Sequence, residues 1–145
     1  MAASARPPVD VSLEAIGQIA VNVHDLDRAI AFYRDRLGLR LLFHVPNMAF
    51  FQCGAVRLML GTPSGPEFDH PSSILYFRVA DIEVAHRTLA GRDVTFRDAP
   101  HLVHRAQDHE LWLTFFDDSE GNVLALMSER PLAPGSRARS NPPVA

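Results

Sequence analysis

The chain has 145 residues, 14 basic and 17 acidic side chains, and a formal net charge of −3. Every basic residue is arginine, which excludes a Schiff-base lysine and a phosphate-binding loop of the Walker type. The negative charge gives no basic surface for nucleic acid, and no apolar run approaches the roughly 18 residues that a membrane span needs. The single cysteine, Cys53, cannot form an internal disulfide, so we expect a cytoplasmic protein.

Both ends of the chain are rich in proline and small residues. Residues 1–12 and 131–145 hold six of the eleven prolines, and neither segment has enough apolar surface to order itself. We therefore predict disordered tails over 1–12 and 131–145. The first tail also lacks the long apolar core of a signal peptide, so we expect no export.

The first predicted elements are a strand and a helix. Residues 19–23 read as a strand, and Asp25 can cap the free N–H groups of the helix that follows. Apolar residues recur at helical spacing over 26–37, and Gly38 ends the helix. Three more strands are predicted at 39–45, 49–52 and 56–60.

The same pattern then returns in the second half of the chain. Asp81, which follows a strand at 75–79 and caps a second helix, lies 56 residues after Asp25, and Gly91 ends that helix. Three strands are predicted at 94–97, 111–116 and 123–127. Residues 123–126 of the last strand match residues 57–60 at an offset of 66. This offset exceeds the 56 residues between the two helix caps by ten, so about ten extra residues belong to the second half. We place them in 98–110.

This repeat predicts an α+β fold of two βαβββ modules, over 13–66 and 67–130. One module cannot cover both faces of its own sheet, so we expect the two modules to pack together. Strand parity places apolar residues on the helix side and a mixture of small and polar residues opposite. We expect a curved mixed sheet whose second face surrounds a cavity.

Two motifs give the chain a family resemblance. Residues 23–33 resemble the opening of a vicinal oxygen chelate protein, a superfamily that includes glyoxalase I, bleomycin resistance proteins and extradiol dioxygenases. Residues 115–122, FFDDSEGN, are similar to its closing turn, F-x-D-P-D-G-N, with Ser119 and Glu120 in place of the usual Pro and Asp. The resemblance covers residues 16–128 and implies the fold rather than the reaction, because this fold carries many chemistries.

Members of this superfamily that use a metal place ligands at four strand positions. The resemblance assigns those positions to Gln18, Met59, Ile74 and Ala125. Isoleucine and alanine have no donor atom, and a thioether prefers soft metals. We therefore expect no metal site and no cofactor. The alternative is a shifted strand register and a true metalloenzyme, in which Gln18 and at least two other donors bind the ion.

Three histidines and a glutamate lie within residues 101–110. One interpretation is a replacement metal site or an acid–base pair at the cavity mouth, with His104 and Glu110 as the candidate catalytic residues. The other is a solvated loop whose polar residues keep it soluble. The spacing fits no zinc signature, and in a regular strand His101 and His104 lie on opposite faces.

Strand parity also selects residues that could contact a ligand in the cavity. Arg57 and Arg78 fall on that face and could hold a carboxylate or phosphate, unless they reach solvent or pair with acids. Aromatic residues could stack on a flat ligand or simply be core. The predicted ligand-binding residues are Gln18, Asn22, Arg57, Met59, Tyr76, Arg78, Phe115 and Ala125.

Two functions of different classes are consistent with these features. The first is a metal-independent binding protein of the bleomycin-resistance kind, which holds a small aromatic or amphipathic molecule. The second is a lyase, isomerase or hydrolase of the same fold that acts through His104, Glu110 or an arginine. The resemblance also implies a symmetric homodimer. The expected partners are thus a small molecule and a second copy, with no nucleic acid and no membrane.

Overall fold

The computed structural model describes residues 11–132. The two predicted tails, 1–12 and 131–145, lie outside the described residues apart from two residues at the inner end of each. At the second boundary, Pro131 is the last residue of the final strand.

The first module is a four-stranded mixed sheet with one helix. Its elements are β1 (Gln18–Asn22), α1 (Leu26–Ala31), which continues as a π-helical turn (Phe32–Arg36), β2 (Arg40–Val45), β3 (Met48–Cys53) and β4 (Val56–Gly61). The strand order is β1-β4-β3-β2, with β1 parallel to β4 and the other neighbours antiparallel. The sheet is mixed because the helix carries the chain across it between β1 and the antiparallel meander.

The second module repeats this plan after a short 3₁₀ turn. The elements are the 3₁₀ turn (Pro66–Phe68), β5 (Leu75–Arg78), α2 (Ile82–Ala90), β6 (Thr95–Phe96), β7 (His101–Arg105), β8 (His109–Asp117) and β9 (Val123–Pro131). The strand order is β5-β9-β8-β6, and β7 also pairs with β8. β5 runs parallel to β9, as β1 does to β4.

β6 and β7 together occupy one strand position in the sheet, since both pair with β8. β6 pairs with the end of β8 at Asp117, and β7 pairs with its beginning from Glu110. Pro100, which has no N–H to donate to a sheet, lies between them. Each module is therefore βαβββ, and the predicted fold is confirmed. The interpretation of 98–110 as a solvated loop is wrong for residues 101–105, because they form β7.

One hydrophobic core lies between the two modules. The helix-bearing faces of both sheets contribute to a single cluster of buried side chains, in which Leu58, Leu60 and Leu124 are at most 2 % exposed. Each such leucine stabilises the fold by about 1.5–3 kcal/mol. The modules form two separate sheets rather than one continuous curved sheet. Because the helix-bearing faces meet in the core, no helix of the described residues covers the opposite face of either sheet.

Both helices begin where the sequence predicts. Oδ1 of Asp25 accepts a hydrogen bond from the Arg28 N–H at 3.1 Å, and Oδ1 of Asp81 accepts one from the Val84 N–H at 3.1 Å. Each carboxylate satisfies a helix donor that has no partner within the helix. In residues 11–132 there is no helix of the length and apolar character that crossing a membrane requires.

Candidate functional site

The face of the first sheet that α1 leaves uncovered has an ordered surface. Strand register defines three rows of side chains across β1, β4, β3 and β2. The polar row is Gln18, Arg57, Gln52 and Arg40; the platform row is Ala20, Met59, Phe50 and Phe43; and the end row is Asn22, Gly61, Met48 and Val45. We call this surface the open face. Phe43, Val45 and Met48 are 50, 42 and 39 % exposed. Such a concentration of exposed apolar side chains is typical of a binding surface.

A β-bulge in β2 brings Phe43 to the open face. Leu41 pairs with the buried Phe51, but the register then shifts, and Phe43 pairs with Phe50. The rings of Phe43 and Phe50 stack with their centroids 4.6 Å apart. Strand parity does not select Phe43 as a site residue, because a two-residue period does not register the extra residue of a bulge.

Four of the predicted ligand-binding residues lie on this face, and Gln18, Arg57 and Met59 among them are in contact. Nε of Arg57 donates a hydrogen bond to Oε1 of Gln18 at 2.7 Å, and Nε2 of Gln18 lies 3.8 Å from Sδ of Met59. The guanidinium carbon of Arg57 lies 5.3 Å from the centroid of the Phe50 ring, which is cation–π distance. An amide and an aromatic ring therefore hold the Arg57 side chain in place.

A cavity of about 540 Å³ opens at the end row. Its lining includes Asn22, Met48, Met59, Thr62, Pro63 and Phe68. The Asn22 side-chain amide donates to the carbonyl oxygens of Phe68 and, at 2.9 Å, of His70. Its backbone N–H donates to Oγ of Ser72 at 3.2 Å. Asn22 therefore holds the segment between the modules, part of which forms a wall of the cavity.

The second sheet holds the other predicted ligand-binding residues. Tyr76, Ala125 and Phe115 are neighbours in register across β5, β9 and β8. The Tyr76 and Phe115 rings meet edge to face at 5.9 Å, and Ala125 is fully buried. Nη2 of Arg78 lies 3.7 Å from a carboxylate oxygen of Glu129, so this arginine has an acidic partner. The predicted residues thus form two groups, one on each sheet.

His104 and Glu110, the candidate catalytic residues, lie on opposite faces of the second sheet. Register pairs His104 with Leu111 and the adjacent Arg105 with Glu110. Glu110 is 8 % exposed, forms an ion pair with Arg105 and accepts a hydrogen bond from Nε1 of Trp112 at 3.0 Å. The hydrogen bond from Trp112, with help from Arg105, lowers the pKa of Glu110 against the opposing effect of burial. Glu110 is therefore an ionised acceptor for structural contacts, and the structure does not join it to His104.

A second β-bulge lies in β7, between Leu102 and His104. It pairs His101 with Leu113 and His104 with Leu111, two residues on the same face of β8. The expectation that the two histidines lie on opposite faces is therefore wrong. The extra residue of the bulge shifts the alternation of side chains by one position.

The four positions that the resemblance assigns to metal ligands do not supply a fitting donor set. Gln18 offers an amide and Met59 a thioether, and Ile74 and Ala125 have no donor atom. Over residues 11–132, no three His, Cys, Asp or Glu side chains are grouped so that they could hold a metal ion. These residues therefore do not fit the divalent metal that the resemblance implies for other members.

A second cavity, of about 430 Å³, lies where the two modules meet. Its lining includes Leu37, Leu39, Cys53, Phe77, Val79 and Leu89. Burial raises the pKa of the Cys53 thiol, which keeps the thiol protonated at neutral pH. A protonated thiol is a poor nucleophile, so Cys53 is suited to packing rather than to covalent chemistry.

The closing turn, residues 115–122, is hydrogen-bonded to the first module. Asp118 is 6 % exposed and accepts hydrogen bonds from the Tyr33 hydroxyl at 2.6 Å and from the N–H groups of Glu120 and Asn122, both at 2.8 Å. Burial, the charge of Asp118 and this hydrogen bond all raise the pKa of Tyr33, so its phenol stays a donor. The motif residues that carry the resemblance thus hold the two modules together.

Solved structures of other proteins share this architecture. A member of the Glyoxalase/bleomycin resistance protein/dioxygenase superfamily from Sphaerobacter thermophilus DSM 20745 is 25 % identical to this chain. The likeness has a TM-score of 0.66 and covers 80 % of this chain and 98 % of that one. Lactoylglutathione lyase from Agrobacterium tumefaciens is 22 % identical, with a TM-score of 0.63 over 80 % of this chain and 94 % of that one. A glyoxalase/bleomycin resistance protein/dioxygenase from Nocardioides is 20 % identical, with a TM-score of 0.63 over 90 % of this chain and 92 % of that one. The last two likenesses show the fold alone.

The family is shown by sequence as well as by fold. A search of curated proteins finds no match. A family model described as the Glyoxalase/Bleomycin resistance protein/Dioxygenase superfamily matches residues 15–129, which include every helix and all but the last two residues of the strands. The chain therefore belongs to the glyoxalase/bleomycin resistance protein/dioxygenase superfamily.

Proposed function

We propose that the protein is a metal-independent binding protein for a small, largely apolar molecule, which lies on the open face. The observation that carries this proposal is the stacked pair of Phe43 and Phe50 beside Met59, on an exposed surface that ends in a cavity of about 540 Å³. Aromatic and thioether side chains offer large, polarisable contact area to a flat ligand. The cavity falls within the range of about 300–1,000 Å³ that is usual for small-molecule sites.

The proposal that no metal or other cofactor takes part is supported by the donor chemistry. The Gln18 amide oxygen already accepts a hydrogen bond from Arg57, and Met59 offers only a thioether. The remaining positions, Ile74 and Ala125, have nothing to offer a divalent ion.

A lyase or isomerase of the same fold is the alternative, and the geometry favours it less. General acid–base catalysis needs its acid and its base within hydrogen-bond reach of one substrate. His104 and Glu110 lie on opposite faces of the sheet, and Arg105 and Trp112 engage the Glu110 carboxylate. His104 by itself stays a candidate acid or base at the uncovered face of the second sheet.

We also propose that two copies form a symmetric homodimer in the cytoplasm. Within residues 11–132, β1 and β5 each pair on one side only, and Ile74 and Tyr76 beside the β5 edge are 45 and 46 % exposed. Unpaired strand edges and exposed apolar side chains favour association, and twofold dimers are the commonest assemblies. The single, free thiol of Cys53 supports a reducing compartment.

Thermal-shift screening with a library of metabolites and drugs tests the binding proposal. A ligand at 100 times its Kd stabilises the native state by about 2.7 kcal/mol. Compounds that raise the Tm of the wild-type protein are then measured on Phe50→Ala and on Val84→Ala, each against its own ligand-free Tm. Val84 is the matched control, because it is 47 % exposed on α2, away from the open face.

We expect the ligand-induced shift to be lost in Phe50→Ala and kept in Val84→Ala. An equal shift in both variants would place the ligand elsewhere on the molecule. Metal analysis of protein purified without a chelator tests the other half of the proposal, since a stoichiometric ion would contradict metal independence.

A further inference from the structure

We infer that the ligand of the open face is an aromatic carboxylate. Its acid group binds Arg57 and Arg40 of the polar row, and its ring contacts Phe50 and Met59 of the platform row. This inference rests on the proposed function and adds the chemical class of the ligand. The order of the rows on the open face, first cationic, then aromatic, then a cavity, carries it.

The polar row has two positive charges and no negative one. Arg57 and Arg40 are exposed, and Gln18 and Gln52 are the neutral members of the row. Within residues 11–132, no carboxylate oxygen lies within 4.0 Å of either guanidinium, although six other arginines in that range form ion pairs. A ligand anion would supply the charge that this row lacks.

The side chain of Arg57 is already oriented for such an anion. Its hydrogen bond to Gln18 uses Nε, and its guanidinium carbon lies over the Phe50 ring. In the part of the chain that the structure describes, no hydrogen bond engages its two Nη groups. Guanidinium groups bind carboxylates through paired N–H donors, and a side chain fixed beforehand loses less entropy on binding.

Arg40 lies two strands away from Arg57, on the other side of Gln52. Neighbouring strands are about 4.8 Å apart, so the two Cα atoms are separated by about 10 Å. An arginine side chain is long enough to cross half of this gap, so both guanidinium groups could reach one carboxylate placed above Gln52.

The platform row determines which chemical group the ligand carries beside its carboxylate. Residues on one face of a strand are about 6.6 Å apart, so an acid group at Arg57 places a directly attached ring beside Phe50 and Met59. The end row and its cavity lie about 6.6 Å further on, where they leave room for a second ring or a short apolar substituent.

Arg78 is less suited to this role, although sequence parity selects it equally. It is 75 % exposed at its side chain, and Glu129 lies 3.7 Å from its Nη2. A ligand carboxylate at Arg78 would have to compete with that acid. The anion site therefore belongs to the first sheet.

Isothermal titration with 2-naphthoate and its neutral isostere 2-naphthamide tests the inference. Both probes are titrated into the wild-type protein, Arg57→Gln, Arg40→Gln and Arg87→Gln. The last variant is the matched control, because it removes one positive charge from an exposed position on α2. All three substituted side chains are exposed, so we expect folded proteins, which far-UV circular dichroism confirms.

We expect the wild-type protein to bind 2-naphthoate at least tenfold more tightly than 2-naphthamide. Arg57→Gln should lower the affinity for 2-naphthoate about tenfold and leave that for 2-naphthamide unchanged, with a smaller loss in Arg40→Gln and none in Arg87→Gln. Equal affinities for the two probes, equal losses of both in Arg57→Gln, or binding of neither would overturn the inference. The proposed function is judged separately, by the library screen and Phe50→Ala.

Discussion

Glu120 joins the closing turn of the second module to the start of α1. Its carboxylate accepts hydrogen bonds from the N–H groups of His24 at 2.6 Å and Asp25 at 3.3 Å, and from Nη2 of Arg28 at 2.9 Å. The side chain is only 5 % exposed. Burial by itself would raise the pKa of the Glu120 carboxyl, but the hydrogen bonds and the Arg28 charge outweigh burial and lower it from 4.5. The fold therefore binds the ionised form.

We predict that Glu120→Gln lowers the free energy of unfolding at pH 7 by about 1.5–3 kcal/mol, the usual contribution of a hydrogen bond to a charged group. A carboxyl whose pKa is lower in the folded state stabilises the protein above the unfolded value of 4.5, and this stabilisation is lost as the pH falls through the folded pKa. The wild-type protein should thus lose more stability than the variant from about pH 5 to about pH 3.

Urea unfolding at a series of pH values measures this difference. Glu14→Gln is the control, because Glu14 is exposed and its profile should follow that of the wild type. Parallel pH profiles for the wild-type protein and Glu120→Gln would contradict the role of the Glu120 charge.

Where a strand is regular, strand parity predicts well which individual side chains are buried and which are exposed. Leu58 and Leu60 are buried on the core side of β4, and Arg57, which precedes them, is exposed, as a two-residue period requires. The contact of Glu120 with Arg28, by contrast, joins residues 92 positions apart. Tertiary packing creates that contact, and no local sequence pattern encodes it.

At the level of elements, periodicity and helix caps predicted both helices and most strands. β7 was not predicted, because its apolar pair Leu102-Val103 is too short to show a period. The bulges in β2 and β7 were also invisible to alternation, although they decide which residues of β2 and β7 reach the uncovered faces. Four residues of the open face could therefore be predicted from the sequence, including Arg57 and Met59, whereas the placement of Phe43 on that face required the structure.

Gly38 and Gly91 both follow helices but differ in conformation. Gly38 has φ +77°, in the left-handed region, whereas Gly91 has φ −68°. A Cβ in the left-handed region costs about 1–2 kcal/mol. At Gly91, a Cβ would lie 3.4 Å from the carbonyl oxygens of Arg87 and Thr88, an ordinary contact.

We predict opposite effects of the two alanine substitutions. Gly38→Ala should destabilise the protein by about 1–2 kcal/mol because of the strained backbone. Gly91→Ala should stabilise it by about 0.4–1 kcal/mol, because alanine restricts the unfolded chain. Urea denaturation of both variants and the wild-type protein compares them directly. Equal destabilisation by the two substitutions would refute the conformational difference.

At the level of the whole molecule, the proposed homodimer makes a testable claim. We predict that the wild-type protein has twice the 16.1 kDa mass of one chain in analytical ultracentrifugation. Ile74→Arg should give monomers, because it places a charge among the exposed apolar residues beside the β5 edge. Val84→Arg, at a position of similar exposure on α2, should stay dimeric. A monomeric wild-type protein, or a dimer that tolerates Ile74→Arg, would rule out this interface.

The hydrogen bond between Tyr33 and Asp118 can form only late in synthesis. Its partners lie 85 positions apart, and a ribosome that adds about 5–20 residues per second needs roughly 4–17 s to pass from one to the other. For that interval the nascent first module has neither Asp118 nor the apolar face of its partner module. Its own core-facing side chains are then exposed to chaperones, and the module completes its packing only when the closing turn leaves the exit tunnel.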